Sequence, residues 1–127
     1  MPVHLLDTDI LIDFLRGREA ARELIAQLSP PESIPFISVV SVAELLAGMK
    51  SGEQKATEGF LSLFKKIPVT EVIARSAGFL LNTYGKTHGL ELGDALIAAT
   101  AMELDATLLS CDSRHYPMPF LKKQRPY

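Results

Sequence analysis

The sequence has little of several features that mark other classes of protein. It contains one cysteine, Cys111, so it cannot form an internal disulfide framework, and this cysteine usage fits a reducing compartment. No apolar run approaches the length of a membrane span. The N-terminal stretch carries Asp7, Asp9 and Asp13 among its apolar residues, which makes it a poor signal peptide. These absences predict a cytoplasmic protein with no membrane-spanning segment.

An excess of positive charge is also absent. The formal net charge is −2 at pH 7, which argues against a protein that coats nucleic acid through overall basicity. A nuclease remains possible, because acids gathered in one cleft can offset basic residues elsewhere. The small basic tail of Lys122, Lys123 and Arg125 is expected to be a solvated terminus rather than a binding arm.

The composition is that of a folded domain. The chain has 127 residues, of which 47% are hydrophobic and 22% are charged. A chain of this length buries roughly two-thirds of its unfolded surface, enough for a core without disulfides or structural metals. We find no internal repeat, low-complexity segment or linker. The sequence therefore predicts a single domain over residues 1–127.

Alternating patterns of hydrophobicity predict the fold class. Four short apolar runs predict strands, at 3–6, 34–43, 66–69 and 106–111. Three stretches with apolar residues at helical spacing predict helices, at 18–28, 53–64 and 71–85, the last ended by Gly85. Strands that alternate with helices of this length imply right-handed crossovers. The prediction is a three-layer α/β/α sandwich with a central parallel sheet.

Four acidic residues are expected at one edge of this sheet. Asp7 follows the first strand, and Asp112 follows the strand at 106–111. Glu44 is placed in the first helical turn after a strand ending near Ser41, and Asp94 is placed at the start of an apolar helix. In an open parallel sheet, ligands bind where the carboxyl ends of strands meet the amino ends of helices. All four acids would therefore lie at the ligand-binding edge.

Each acid also has a purely structural interpretation. An acid near a helix N-terminus satisfies free N–H groups and the helix dipole, a contribution of about 1 kcal/mol. The stretch from Ser41 to Glu44 even fits the capping-box pattern S-x-x-E. Capping alone leaves unexplained why four acids fall where ligands bind, with no basic residue beside Asp7 or Asp94 in the sequence. Capping and ligand binding both stay open at this point.

Converging carboxylates favour a divalent cation. They repel one another, which raises their pKa values or requires a cation between them. Carboxylate oxygens suit Mg²⁺ or Mn²⁺. Histidine and cysteine are too few and too scattered for a structural zinc site, at His4, His88, Cys111 and His115. A carboxylate-held ion with open positions activates water and stabilises charge on a phosphate, which suggests phosphodiester hydrolysis. The sequence has no G-x-S-x-G elbow and offers no convincing covalent nucleophile.

Three stretches, in their order and spacing, resemble the PIN-domain ribonucleases, and among them the VapC-type toxins of prokaryotic toxin–antitoxin pairs. The stretches are Asp7-Thr8-Asp9-Ile10-Leu11-Ile12-Asp13, Ser41-Val42-Ala43-Glu44-Leu45-Leu46-Ala47-Gly48 and Asp94-Ala95-Leu96-Ile97-Ala98-Ala99-Thr100-Ala101. The resemblance runs from about Leu5 to Tyr116. It implies a PIN-like fold and a metal-dependent endoribonuclease that acts on RNA.

The resemblance also implies roles for individual residues. Asp7, Glu44 and Asp94 match the family's three principal metal-binding acids. Ser110 and Asp112 match the ends of its T-x-[DN] element, in which Asp112 is the fourth acid. Serine stands where threonine is usual, so the hydroxyl that positions metal-bound water is retained.

Further residues are assigned supporting roles. Thr8 would hold a metal-bound water or a neighbouring carboxylate, with a cap or turn hydroxyl as the alternative. Asp9 stands where the family often has asparagine and is interpreted as support. Glu91, one turn before Asp94, has either a substrate-side role or none beyond solvation. Three arginines are candidate phosphate contacts, Arg16, Arg18 and Arg114. The alternative for each is an ordinary solvated side chain.

VapC-like proteins are usually homodimers held inactive by a VapB-like antitoxin, whose C-terminal segment packs into a groove beside the acids. The stretch 14–28 is a candidate wall of such a groove, and a helix with one core face is the alternative. Two other functions are also considered. One is a receiver-like phospho-acceptor domain that binds Mg²⁺, and the other is a PIN protein that binds RNA or a partner without cleaving it.

Overall fold

A computed structural model describes residues 3–28 and 35–127, and these residues form a five-stranded parallel sheet. The strands are β1 (His4–Leu6), β2 (Phe36–Ser38), β3 (Lys65–Ile67), β4 (Thr107–Leu109) and β5 (Lys123–Gln124). Their order across the sheet is β3-β2-β1-β4-β5, and every neighbouring pair is parallel. β1 is therefore the central strand, and the residue that follows it stands at the middle of the carboxyl edge.

Helices connect these strands. Those of the described residues are α1 (Thr8–Leu15), α2 (Glu19–Leu28), α3 (Val39–Gly48), α4 (Gln54–Leu61), α5 (Glu71–His88) and α6 (Leu92–Glu103), followed by a 3₁₀ turn at Ser113–His115. The helices predicted at 18–28 and 53–64 are confirmed as α2 and α4. The weak strand signal at 66–69 corresponds to β3.

Neighbouring residues of the central strands belong to two different hydrophobic clusters, one on each face of the sheet. Leu5 and Leu108 pack with the buried residues of α5 and α6. Leu6 and Leu109 pack with those of α1, α3 and α4, such as Leu11. Because neighbouring side chains of a strand point to opposite faces, this division means that helices cover both faces of the sheet. The predicted three-layer α/β/α sandwich is confirmed.

The strand predicted at 34–43 is much shorter in the structure. β2 ends at Ser38, and the β-branched residues that follow form the first turn of α3. Ser38 is the N-cap, and its hydroxyl oxygen accepts the Val40 N–H at 3.0 Å. This cap and the burial of Ser41 and Leu45 outweigh the strand preference of the valines. Ile34 lies outside the described residues.

The predicted stop at Gly85 is wrong. α5 continues to His88 and ends at Gly89, whose φ of 66° is in the left-handed region. A glycine in that conformation satisfies the standard geometry of a helix C-terminus. The predicted stop is one turn too early. A glycine inside a helix weakens the helix but does not end it.

The C-terminal tail is part of the sheet rather than a free terminus. Lys123 and Gln124 form β5, which pairs with β4. Lys122 makes an ion pair of 2.7 Å with Asp105. The two-residue strand is too short to produce a periodic signal, so the sequence does not predict it.

No helix among the described residues combines the length and apolar character needed to cross a membrane.

Candidate active site

Asp7 occupies the centre of the carboxyl edge, directly after β1. Its Oδ1 accepts the Thr8 N–H at 2.8 Å, and its Oδ2 accepts the Tyr116 hydroxyl at 2.8 Å. The residue is only 7% exposed. Burial, followed by the negative charge of Asp9, raises the pKa of Asp7 to about 6, against the lowering effect of these hydrogen bonds. Asp7 is thus the N-cap of α1 and a buried carboxylate short of positive charge.

Glu44 is connected to the residue after Asp7 by a hydrogen bond from the Thr8 hydroxyl, which also contacts the Ser41 hydroxyl. The Thr8 hydroxyl donates to Glu44 Oε1 at 2.6 Å and lies 2.8 Å from the Ser41 hydroxyl. Since the Thr8 hydroxyl has one hydrogen, the Ser41 hydroxyl donates to it. The alternative interpretation of Ser41 and Glu44 as a capping box is wrong, because the N-cap of α3 is Ser38 and Ser41 is buried inside the helix. Glu44 accordingly lies in the second turn of α3, not the first.

Glu44 lies against the first turn of α6, the turn that carries Asp94. An ideal Cβ on Gly93 would stand 3.2 Å from Glu44 Oε2, so the Glu44 carboxylate lies against the first turn of this helix. α6 begins at Leu92 with Glu91 as its N-cap, so Asp94 does not begin the helix as expected. Asp94 Oδ2 accepts the Glu91 N–H at 3.1 Å, so this candidate ligand is also a capping acid.

Asp9 and Ser110 join the first helix to the end of β4. Asp9 Oδ2 accepts the Cys111 N–H at 2.9 Å and the Ser110 hydroxyl at 3.4 Å. Asp9 Oδ1 is buried and has no hydrogen-bond partner in the described part of the chain. Burial is the main cause that raises the pKa of Asp9. The sequence prediction treated Asp9 only as support, and the structure places it beside Asp7.

Asp112 follows β4 at the same edge, but it is less engaged than the other acids. Its backbone N–H donates to the Ser110 hydroxyl oxygen at 3.1 Å, and the residue is exposed. Within residues 3–28 and 35–127 its carboxylate makes no hydrogen bond to the other acids. Its role as a fourth ligand stays a prediction.

Two residues that the sequence does not predict contact the candidate acids. His115 Nε2 lies 2.9 Å from Asp94 Oδ2, and Tyr116, whose hydroxyl binds Asp7, is 1% exposed. Burial and the charges of Asp7, Asp94 and Asp9 raise the pKa of the Tyr116 hydroxyl. A basic side chain therefore does stand beside Asp94, contrary to expectation. It comes from a turn 21 residues later, a distance over which no periodic pattern operates.

The acids are connected by hydrogen-bonding side chains and do not form a preformed cluster. In the described ranges, no three His, Cys, Asp or Glu side chains stand ready to hold a metal ion. Their chemistry nevertheless fits a divalent cation. The donors are carboxylate oxygens, Asp9 Oδ1 is a buried oxygen without a partner, and repulsion from Asp9 helps raise the pKa of Asp7. A hard cation would compensate each of these features.

A groove of about 260 Å³ begins at Glu44 and runs between α1, α3 and α4. Arg16 and Lys50 are the basic residues of its lining, and Ile12, Leu15 and Leu45 contribute apolar surface. Of the stretch 14–28 proposed as a groove wall, α2 contributes no residue to this groove.

The three candidate arginines differ in their surroundings. Arg16 lines the groove that begins at Glu44. Arg18 is paired with Asp13 at 3.3 Å and lies over the Tyr127 ring, 4.9 Å from its centroid. Arg114 is exposed on the 3₁₀ turn.

Sequence comparison identifies the family. A family model described as the PIN domain matches residues 4–121. Ribonuclease VapC19 of Mycobacterium tuberculosis is 45% identical over 125 residues, which cover 97% of this chain and 98% of the relative. Ribonuclease VapC10 of the same species is 43% identical over 115 residues, covering 90% and 86%. The chain belongs to the PIN-domain family, and its relatives include VapC ribonucleases.

Solved structures agree with this assignment. A toxin–antitoxin complex from Klebsiella pneumoniae contains a chain that matches with a TM-score of 0.82, 30% identity and 98% coverage of both chains. VapBC-1 from nontypeable Haemophilus influenzae matches with a TM-score of 0.79, 26% identity and 98% coverage of both chains. Membership of the PIN-domain family excludes the receiver-like alternative.

Proposed function

We propose that this protein is an endoribonuclease toxin of the VapC type, which hydrolyses RNA phosphodiester bonds at a metal site formed by Asp7, Glu44 and Asp94. The observation that carries the proposal is the convergence of these acids at one sheet edge. Thr8 links Asp7 to Glu44, and Glu44 lies against the helical turn that carries Asp94. Ribonucleases 43–45% identical to this chain supply the reaction class.

The PIN ribonuclease family generally uses a divalent metal ion. In this chain Asp7, Glu44 and Asp94 would hold it, with Asp112 as a fourth ligand. Their hard oxygen donors favour Mg²⁺ or Mn²⁺. The bound ion would supply an activated water and neutralise charge that develops on the phosphate.

The remaining side chains orient this arrangement. The Thr8 hydroxyl holds Glu44 Oε1, and the buried Ser110 hydroxyl lies between Asp9 and the Asp112 backbone. Arg16 is positioned along the groove from Glu44 and is our candidate for a phosphate contact of bound RNA.

Two partners besides RNA belong to the proposal. A VapB-like antitoxin would block the site by occupying the groove that begins at Glu44, whose lining of apolar residues and charges of both signs suits an amphipathic segment. We further propose a cytoplasmic homodimer, each chain a single nuclease domain over residues 1–127. Sedimentation equilibrium of the isolated toxin tests this proposal. A homodimer should give the mass of two chains.

The decisive experiment is cleavage of a mixed RNA pool by purified, antitoxin-free protein. Reactions contain Mg²⁺, Mn²⁺ or chelator, and the wild type is compared with Asp94→Asn. Asp105→Asn is the matched control, because it makes the same charge change at an exposed residue before β4, away from the acids. We expect cleavage that requires metal, disappears in Asp94→Asn and persists in Asp105→Asn.

Other outcomes reject the proposal in different ways. Metal binding without cleavage, lost in Asp94→Asn, would indicate the non-cleaving binding protein instead. Cleavage that survives both chelator and Asp94→Asn would indicate a chemistry that does not use these acids.

A further inference from the structure

The turn that follows β4 contacts two aspartates of the proposed site, Asp94 and Asp7. His115 contacts Asp94 Oδ2 at 2.9 Å, and the next residue, Tyr116, donates its hydroxyl to Asp7 Oδ2 at 2.8 Å. Asp7 and Asp94 come from opposite ends of the sequence, and this dipeptide connects them directly. The arrangement suggests more than local packing of the turn.

The turn itself is firmly anchored. Tyr116 is 1% exposed and belongs to the hydrophobic cluster of α5 and α6. Lys123 of β5 donates through Nζ to the carbonyl oxygens of Ser113 and Tyr116, at the two ends of the turn. The backbone position of His115 is therefore set by the sheet and the core.

The contact with His115 determines which oxygen of Asp94 remains free. Asp94 Oδ2 accepts two hydrogen bonds, from the Glu91 N–H at 3.1 Å and from His115 at 2.9 Å. An ionised carboxylate only accepts, so His115 Nε2 carries the hydrogen in this contact. Oδ1 accepts no hydrogen bond from the described residues. The two donors thus turn Oδ2 toward the protein and leave Oδ1 available.

We propose that His115 is a positioning residue, which holds the Asp94 carboxylate in the orientation that binds the divalent metal ion. The proposal rests on the metal site proposed above. Side chains that hydrogen-bond to a metal-binding carboxylate orient it and tune its affinity, and their removal typically weakens metal binding by roughly 10- to 100-fold. The hydrogen bond from the Glu91 N–H to Asp94 already caps α6. The contact from His115 is therefore not needed to form the helix.

The test is the affinity for Mn²⁺, measured by calorimetric titration of the metal-free protein. His115→Phe keeps a planar ring and removes the donor, whereas His115→Gln keeps a donor near the position of Nε2. We expect His115→Phe to weaken Mn²⁺ binding about tenfold or more. His115→Gln is expected to restore most of the affinity, and Asp105→Asn to leave it unchanged.

A double-mutant cycle separates positioning from other roles. If His115 acts through Asp94, then His115→Phe has no further effect on Mn²⁺ affinity in the Asp94→Asn background. An equal loss in both backgrounds would make His115 a direct ligand and overturn the proposal. A lower melting temperature with unchanged Mn²⁺ affinity would reduce His115 to a structural residue, which also overturns it.

Failure of the proposed function has a different signature. If Asp94→Asn does not weaken Mn²⁺ binding, the metal site itself is wrong, and the role of His115 falls with it. If Asp94→Asn weakens binding and His115→Phe does not, only the role of His115 is wrong.

Discussion

Asp7 combines burial with a neighbouring negative charge, so its ionisation opposes folding when no metal is bound. The folded pKa is about 6, compared with an ordinary value of 3.8. Between these two values the unfolded chain loses the proton while the folded chain keeps it. The contribution of Asp7 to stability therefore falls as pH rises from about 4 to 6 and is constant above that range, with an upper bound of roughly 3 kcal/mol.

Asp7→Asn removes this penalty. In chelator, we expect the variant to gain stability relative to the wild type as pH rises from about 4 to 6, because asparagine does not ionise. Urea denaturation across this pH range measures the difference in the free energy of unfolding. Asp105→Asn, which changes an exposed acid, should show no such growing advantage. A difference that is the same at every pH would mean that Asp7 ionises normally.

Asp9 also has a structural role, which we expect not to depend on its charge. Its Oδ2 accepts the Cys111 N–H and so connects α1 to the end of β4. We expect Asp9→Ala to lower the free energy of unfolding by roughly 1–3 kcal/mol, because the N–H loses its acceptor. Asp9→Asn keeps an acceptor oxygen. In chelator, its urea concentration at the unfolding midpoint should be at least as high as that of the wild type. Equal destabilisation by both variants would show that the negative charge itself is required.

At the scale of elements, the end of α5 gives a clear contrast between two glycines. Gly89 has a positive φ of 66° and open space around an added Cβ. Gly89→Ala is therefore destabilising by about 1 kcal/mol through backbone strain alone. Gly85 lies inside the helix, where a Cβ would meet ordinary contacts at 3.7 and 3.9 Å. Gly85→Ala should stabilise by about 0.5–1 kcal/mol.

Thermal or urea denaturation of the two variants measures these opposite signs. The reverse pattern, with Gly85→Ala destabilising and Gly89→Ala neutral, would place the end of α5 at Gly85.

The same comparison shows where sequence patterns are informative about elements. Helices with a long apolar stripe, such as α2, are predictable because burial of one face repeats every turn. The boundary between β2 and α3 is not, since β-branched residues occupy both and a single hydroxyl at Ser38 decides it. β5 has two residues and depends on its partner strand β4. β5 is therefore set by a tertiary contact rather than by local preference.

At the scale of the whole molecule, metal binding should stabilise the fold. The acids come from separate elements, so an ion that binds them binds only the folded chain. At a concentration 100 times Kd, such a ligand adds about 2.7 kcal/mol. We expect Mn²⁺ to raise Tm by several degrees in the wild type and in Asp105→Asn, and much less in Glu44→Gln. Scanning calorimetry with and without Mn²⁺ checks this. An equal rise in all three proteins would place the ion elsewhere.

The sequence predicts which elements meet at the carboxyl edge but not which side chains connect the acids, and the metal-binding role of the acids stays a prediction. Asp7 and Asp94 could be found because each stands at a strand end or a helix start, which a parallel sheet brings to one edge. His115 and Tyr116 could not be found in this way. They lie in a turn without periodic hydrophobicity, and their partners are 21 and 109 residues away in the sequence. The contacts of Asp9 could not be predicted either, because the sequence does not show which of its oxygens has a partner.

The hydrogen bond from Tyr116 to Asp7 spans 109 positions of the sequence. It joins a residue synthesised almost first to one synthesised almost last, and β1 likewise pairs with β4. A nascent chain that stops short of residue 116 lacks this hydrogen bond. The topology therefore delays assembly of the proposed site until most of the polypeptide has been translated.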